Sequence, residues 1–234
     1  MPTLFVVATP IGNLEDLTFR ALRILSEVDL IAAEDTRHTK ILLTRYNIST
    51  PLTSYHKFNI RAKTPYIISI LKEGKNIALV SDSGMPGISD PGYELIRESV
   101  NQGIRVEPIP GPSAAITALA VSGLPTGRFV FEGFLPKKPG KKKKLLKTLQ
   151  KESRTIIIYE SPYRLLKTLD AIKEIMGERR IAVCRELTKK FEEIIRGTVT
   201  EVLDKFKNKK ILGEVVIIID GRRNKSPGIS AGEG

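Results

Sequence analysis

The strongest constraint on this chain is a repeated alternation. Short apolar runs rich in β-branched residues are each followed by a turn-rich segment and then by a helix-like pattern. Residues 4–9 read as a buried strand, and apolar Leu17, Ala21, Leu22 and Leu25 place a helix over 17–27. The same rhythm predicts strands at 30–33, 77–81 and 106–109, and helices over 36–46, 60–73, 91–102 and 113–121. It resumes with strands at 129–134, 155–159, 181–185 and 215–220, helices over 163–176 and 199–206, and an extended segment at 192–197. Strands separated by helices require crossover connections, so the expectation is an α/β fold with much parallel sheet.

Charge divides the chain in two. Lys plus Arg number 38 against 26 Asp plus Glu, a formal net charge of +12. Residues 1–120 hold 12 of each sign, so the whole surplus falls in 121–234. The turn-rich stretch 122–127 marks the change, and a domain boundary is expected there: 1–122, then 123–221, then a Gly/Ser/Pro-rich tail 222–234 expected to be disordered. A neutral half fits one ligand and a basic half fits a polyanion.

The rest of the composition excludes several classes. Cys184 is the one cysteine, which rules out an internal disulfide and a cysteine metal cluster. His38 and His56 could not complete a zinc site with it without carboxylate help. No apolar run reaches membrane-spanning length. Met1-Pro2-Thr3 runs straight into a strand with no basic region before it, so a cytoplasmic location without a signal peptide is expected. One glycine, Gly12, follows the first strand where a dinucleotide fingerprint needs three. Gly140-Lys141 lacks the spacing and the hydroxyl of a P-loop.

Four loops follow predicted strands: 9–16 (TPIGNLED), 81–92 (SDSGMPGISDPG), 108–113 (PIPGPS) and 160–163 (ESPY). In parallel α/β sheets, ligands bind beyond the carboxyl ends of the strands, so these loops either converge on one cleft or merely turn the chain. Ser113 suits both a helix cap and a ligand contact. Glu34 and Asp35 either cap the next helix or face a substrate together with Arg37, His38 and Lys40. His56 is a base or a structural histidine. Residues 137–151 carry eight lysines and no acid, which reads as a solvated, mobile face or as a set of phosphate contacts, the latter favoured in so basic a half. Phe129, Phe131 and Phe134 read as strand core rather than base-stacking platforms.

Taken together, VVATPIGNLEDLTFRALRIL, AAEDTRHTKILL, SDSGMPGISDPG, IPGPSAAITAL, FEGFLPKK, YESPYR and CRELTKKFEEIIRGT resemble, in order, the ribosomal RNA small subunit methyltransferase I family of the tetrapyrrole methylase superfamily. The similarity runs from Leu4 to about Asp220. It implies two α/β domains with an S-adenosylmethionine cleft between them, usually in a homodimer. The implied reaction is methylation of the ribose 2′-oxygen of a cytidine in the decoding region of small-subunit ribosomal RNA, on naked RNA or the assembled subunit. The alternative is a methyltransferase of the same fold acting on a small tetrapyrrole-like acid. Longer members continue past the point matching Gly221, so RNA docking is expected to rest on the two core domains and a dimer partner.

By motif, the resemblance assigns cofactor contacts to Pro10, Ile11 and Gly12, to Asp82 and Met85, and to Ser113 and Ala114. In the second half it assigns Tyr159, Glu160 and Ser161, then Glu186, Glu214 and Val215. A ribose hydroxyl is a poor nucleophile until its proton begins to leave, so a base would help. Glu34, Asp35, His56 and Glu186 are the candidates. Arg37, Lys40 and Lys189 are electrostatic helpers or phosphate clamps, and Lys137, Lys138, Lys141, Lys142, Lys143 and Lys144 are RNA contacts. No metal is implied.

Overall fold

Five strands of the first half join into one parallel sheet. They are β1 (Thr3–Val7), β2 (Leu30–Ala33), β3 (Leu52–Ser54), β4 (Ile77–Val80) and β5 (Arg105–Ile109), in the order β3-β2-β4-β1-β5. Every pairing among them is parallel. Helices cover both faces of such a sheet, which is why β4 is buried at every residue and its sequence shows no polar alternation. On one face, α1 (Phe19–Glu27) and α2 (Thr36–Arg45) pack Ala21, Leu25, Leu42 and Leu43 against Val7, Ile31, Ala78 and Val80. On the other, α3 (Ile60–Lys72) and α4 (Tyr93–Asn101) set Ile67, Leu71 and Leu95 against Leu4, Ala32, Ile77 and Leu79. Each fully buried Leu or Ile contributes about 1.5–3 kcal/mol by leaving water. Thr18 starts α1 by accepting from the Ala21 amide, and Asp35 starts α2 by accepting from the Arg37 amide.

The structure, a computed structural model, describes residues 1–222; the tail expected to be disordered lies, apart from Arg222, outside the described residues. The chain divides into two compact units, Met1–Ala114 and Ala115 onward. The charge break at 122 therefore falls one helix later than this division, because α5 (Ala114–Val121) goes with the second unit.

The second sheet departs from the parallel expectation. Its strands are β6 (Phe129–Phe134), β7 (Thr155–Glu160), β8 (Arg180–Arg185), β9 (Glu193–Thr198) and β10 (Val215–Ile219), ordered β6-β7-β10-β8-β9. β6 and β7 run parallel, whereas β10 enters antiparallel between β7 and β8, and β9 pairs antiparallel with β8. The core of this unit joins Leu146 and Leu149 of α6 (Pro139–Leu149), Leu169 and Ile172 of α7 (Leu165–Met176), and Val202 and Phe206 of α8 (Val199–Phe206) to Ile156, Ile158, Val183 and Ile217.

Three expectations change. β3 carries no apolar signal in the sequence, since it is three half-buried residues after Pro51, held at the sheet edge by backbone pairing with β2. The lysine run is helix α6, with Pro139 in its first turn and Leu145, Leu146 and Leu149 turned inward. Phe129 and Phe134 are not core, being 38% and 59% exposed, because β6 is an edge strand bent by a register shift between Phe131 and Gly133. Phe131 and Phe134 instead meet Tyr159 edge-on, at centroid separations of 5.0 and 5.5 Å. Among the described residues no helix is long and apolar enough to cross a membrane.

Candidate functional site

A parallel sheet delivers the carboxyl ends of all its strands to one edge. The loops after β1, β2, β3, β4 and β5 therefore start side by side, and they are cross-pinned there. Thr9 and Gly84 exchange backbone hydrogen bonds of 2.9 and 3.0 Å, and the Thr9 hydroxyl donates to the Ser81 carbonyl at 3.0 Å. Gly84 has φ +80° and Gly92 φ +151°. A Cβ on Gly92 would stand 2.9 Å from the Gly87 nitrogen, so the close fold of the 81–92 loop depends on glycine there. Pro10 and Ile11 are buried beside this loop, Gly12 is exposed, and Met85, Ser113 and Ala114 are half-buried.

Two carboxylates meet at the centre of this edge. The Asp35 amide donates to Asp82 Oδ1 at 3.0 Å, which fixes the loop after β2 to the loop after β4. Partial burial pushes the Glu34 carboxyl above its ordinary value, and the nearby Asp82 charge pushes it further. The Asp82 amide, the Lys57 ammonium and the His56 ring oppose that rise without cancelling it. Asp35 is the opposite case. Its carboxylate accepts from the Arg37 side chain at 2.7 and 3.1 Å and from the Arg37 amide, which holds it far below the usual carboxylate range. His56 Nδ1 is buried and has no hydrogen-bond partner among the described residues. Lys40 is exposed on α2. The first unit thus brings Glu34, His56 and Asp82 together, while it commits Asp35 to capping and to Arg37.

The second unit also gathers its sequence-predicted residues at one sheet edge, where Val215 faces both Glu160 and Arg185 across the strands. Glu160 is wholly engaged by its own unit. It accepts from the Thr168 hydroxyl at 2.6 Å, from the Ser161 amide at 2.7 Å and from Arg164 Nε at 2.6 Å. Tyr159 sits between the two phenylalanine rings. Glu186, at φ +52°, accepts from Lys189 Nζ and the Glu214 amide, both at 3.0 Å, and Lys189 also reaches Glu214 at 3.2 Å. Burial, the largest single influence, pushes the Glu186 carboxyl up. Lys189, the Glu214 amide and Arg185 together outweigh it and leave the group below its ordinary value. A Cβ on Gly213 would fall 2.0 Å from Glu186 Oε1, so glycine makes room for this carboxylate. Burial raises the Cys184 thiol to about 11, so it carries no thiolate chemistry near neutrality.

The lysines in and just before α6 separate into two sets. Lys137, Lys138, Lys141 and Lys144 are exposed. Lys142 is not the free RNA contact expected of it: it turns inward and donates to the Thr168 hydroxyl at 3.1 Å, because its position shares the inward face with Leu145, Leu146 and Leu149. Lys143 pairs with Glu174 at 2.8 Å on the surface. Sequence reasoning passed over Lys57, whose charge acts on the Glu34 carboxyl, and Asn59, which ties the loop to Ser54 and His56, since that loop follows the unrecognised β3.

Comparison with known proteins gives the fold and the family. The family model for tetrapyrrole (corrin/porphyrin) methylases matches residues 3–203. Two solved structures share the fold: a uroporphyrin-III-C-methyltransferase from Thermus thermophilus (TM-score 0.66, 20% identity, 94% of each chain) and cobalt precorrin-4 methyltransferase (TM-score 0.67, 19% identity, 93% of this chain and 94% of that one). The molecule is a tetrapyrrole-methylase-fold protein. Among curated sequences it is 52% identical to the ribosomal RNA small subunit methyltransferase I of Thermotoga maritima, over 95% of this chain and all of that one. It is 52% identical to that of Bacillus subtilis (96% and 77%) and 48% to that of Escherichia coli O157:H7 (97% and 81%). The chain belongs to the ribosomal RNA small subunit methyltransferase I family.

Proposed function

We propose that this chain methylates small-subunit ribosomal RNA with S-adenosylmethionine, and that the acceptor is the ribose 2′-oxygen of a cytidine in the decoding region. Family membership supports the methyl transfer and the RNA. The observation behind the ribose chemistry is the pinned carboxyl edge of the first sheet, where Ala33 and Val80 end side by side and the Asp35 amide ties the two following loops through Asp82, with Glu34 between them and raised in proton affinity by partial burial. A general base works best when its proton affinity approaches the working pH, and among the candidates Glu34 is the carboxyl moved in that direction.

The same edge fits the cofactor. S-adenosylmethionine carries a sulfonium and an ammonium, and the Asp82 carboxylate, half-buried and fixed by the Asp35 amide, is suited to receive a cation. Asp82 would hold the ammonium or a ribose hydroxyl, with Pro10, Ile11, Met85, Ser113 and Ala114 forming the walls. When bound, the cofactor supplies an electrophilic methyl group. Glu34 accepts the proton from the 2′-hydroxyl at its carboxylate, and the pinned loops keep the reacting groups in line, which is the main catalytic contribution in such displacements. Exposed Lys137, Lys138, Lys141 and Lys144 bind phosphates. The working form is a cytoplasmic homodimer, which light scattering at twice the 26.0 kDa chain mass would register.

Transfer of radiolabelled methyl from S-adenosylmethionine to small ribosomal subunits lacking the modification tests this reading. Digestion of the product should yield labelled 2′-O-methylcytidine. Label on a base, or label on a porphyrinoid and none on subunits or naked ribosomal RNA, refutes it.

A further inference from the structure

Beyond His56 and the charge of Lys57, the loop between β3 and α3 has no place in the chemistry above, yet it is pinned at both ends. Tyr55 is buried at its start, donates its amide to the Ala33 carbonyl at 2.7 Å, and shares a 3.0 Å hydroxyl contact with Thr64. Asn59 closes the other end. Its side-chain oxygen accepts from the His56 amide at 2.9 Å, its side-chain nitrogen donates to the Ser54 carbonyl and hydroxyl at 3.1 Å, and its amide donates back to the His56 carbonyl at 2.9 Å. A loop pinned at both ends fixes what it presents, and what it presents is Phe58, 85% exposed. The Lys57 ammonium lies 4.8 Å from the centre of that ring, and the His56 ring meets it edge-on at 6.1 Å.

A single exposed apolar side chain is ordinary on a protein surface. Other exposed aromatics also have a cation over the ring, Tyr66 with Lys63 and Phe191 with Lys190. Phe58 differs in its place: Ser54 pairs with Ala33 at the carboxyl end of β2 and the Tyr55 amide reaches the Ala33 carbonyl, so the loop leaves the sheet beside Glu34, and the His56 ring adds a second polar neighbour to Lys57. An aromatic face held beside a lysine, next to the group that takes the ribose proton, has the parts of a single-stranded RNA site. The ring receives an unstacked base and the ammonium receives the adjoining phosphate. We propose that Phe58 is a base-stacking platform that holds a nucleobase of the ribosomal RNA next to Glu34, with Lys57 as its phosphate contact. The proposal rests on the RNA reading above and adds the residues that position the substrate.

The chain contains no tryptophan, so Phe58→Trp installs a lone reporter at this spot. Naked small-subunit ribosomal RNA, which has no tryptophan of its own, is added to a level at which filter binding shows the variant saturated. Emission should be strongly quenched by stacking. In methyl-transfer assays on small subunits, Phe58→Ala should raise KM roughly 5- to 100-fold, the range that loss of one base stack produces. Phe58→Tyr should restore most of it, and S-adenosylmethionine affinity by calorimetry should not move. Unquenched emission at saturation, or a Phe58→Ala enzyme with wild-type KM, overturns the platform while leaving the RNA reading intact. A wild-type chain that neither binds nor methylates ribosomal RNA overturns both.

Discussion

Glu34 and Asp35 are adjacent in sequence and opposite in character. Asp35 is held ionised by Arg37 and by the start of α2, whereas Glu34 is pushed toward its neutral form by burial and by Asp82. Glu34→Gln should lower kcat by roughly 100-fold or more, the usual contribution of a positioned base, with S-adenosylmethionine affinity little changed in calorimetry. Its effect on stability should have the other sign. A carboxyl whose folded-state proton affinity is raised contributes stability below its ordinary value of 4.5, and loses that contribution as pH climbs through the raised value. At neutral pH the wild type therefore carries an unfavourable ionised group that glutamine removes. Thermal melts should show Glu34→Gln at least as stable as wild type at pH 7, with any advantage gone below pH 4.5. Arg37→Ala, by contrast, should leave the Glu34 chemistry in place and loosen the start of α2.

Elements were legible in proportion to how much apolar surface they bury. β2, β6 and α8 fall where the pattern of β-branched runs and amphipathic spacing puts them, and β1 and α1 differ by a residue or two at their ends. β3 was invisible because backbone pairing, not apolar side chains, makes it a strand. α6 was obscured because the eight lysines of 137–151 crowd the inward spacing of Leu145, Leu146 and Leu149. In the site, turn chemistry after strands exposed the loops around Gly12, Asp82 and Ser113. The choice among acids was hidden, since it depends on neighbours brought together across the sheet. The connection between α8 and β10 gives a test of such hidden fit. Gly213, at φ +86°, lies against the Glu186 carboxylate. Gly213→Ala should destabilise the protein by about 1–3 kcal/mol in urea unfolding, through backbone strain and displacement of Glu186 from Lys189 and the Glu214 amide. Adding Glu186→Ala to that variant should not restore full stability, because the strain remains.

At the scale of the molecule, the +12 surplus is confined to residues 121–234, and the exposed lysines at the start of α6 concentrate it. Their positive charges stand at the positive end of a helix, an arrangement that opposes helix stability and favours an anionic partner. Replacing Lys137, Lys138, Lys141 and Lys144 with Gln should flatten the dependence of log K for RNA on log salt by up to about 3.6, at roughly 0.7–0.9 for each phosphate no longer neutralised. The position methylated and the S-adenosylmethionine affinity should be unaffected, because binding to phosphates carries no sequence information. Lys142→Gln should act instead on stability, since that side chain is bound to Thr168.

The last strand described, β10, lies at the middle of the second sheet. All five of its residues are buried between β7 and β8. Time of synthesis thereby enters the architecture. The first sheet can close while the ribosome is still translating the second unit, since its strands are complete by Ile109. The second sheet cannot be completed until residues 215–219 have emerged, because β10 alone joins β6 and β7 to β8 and β9. Any truncation before Val215 removes a central plank rather than an edge, and leaves β7 and β8 each with an exposed apolar ladder prone to pairing with a neighbouring nascent chain.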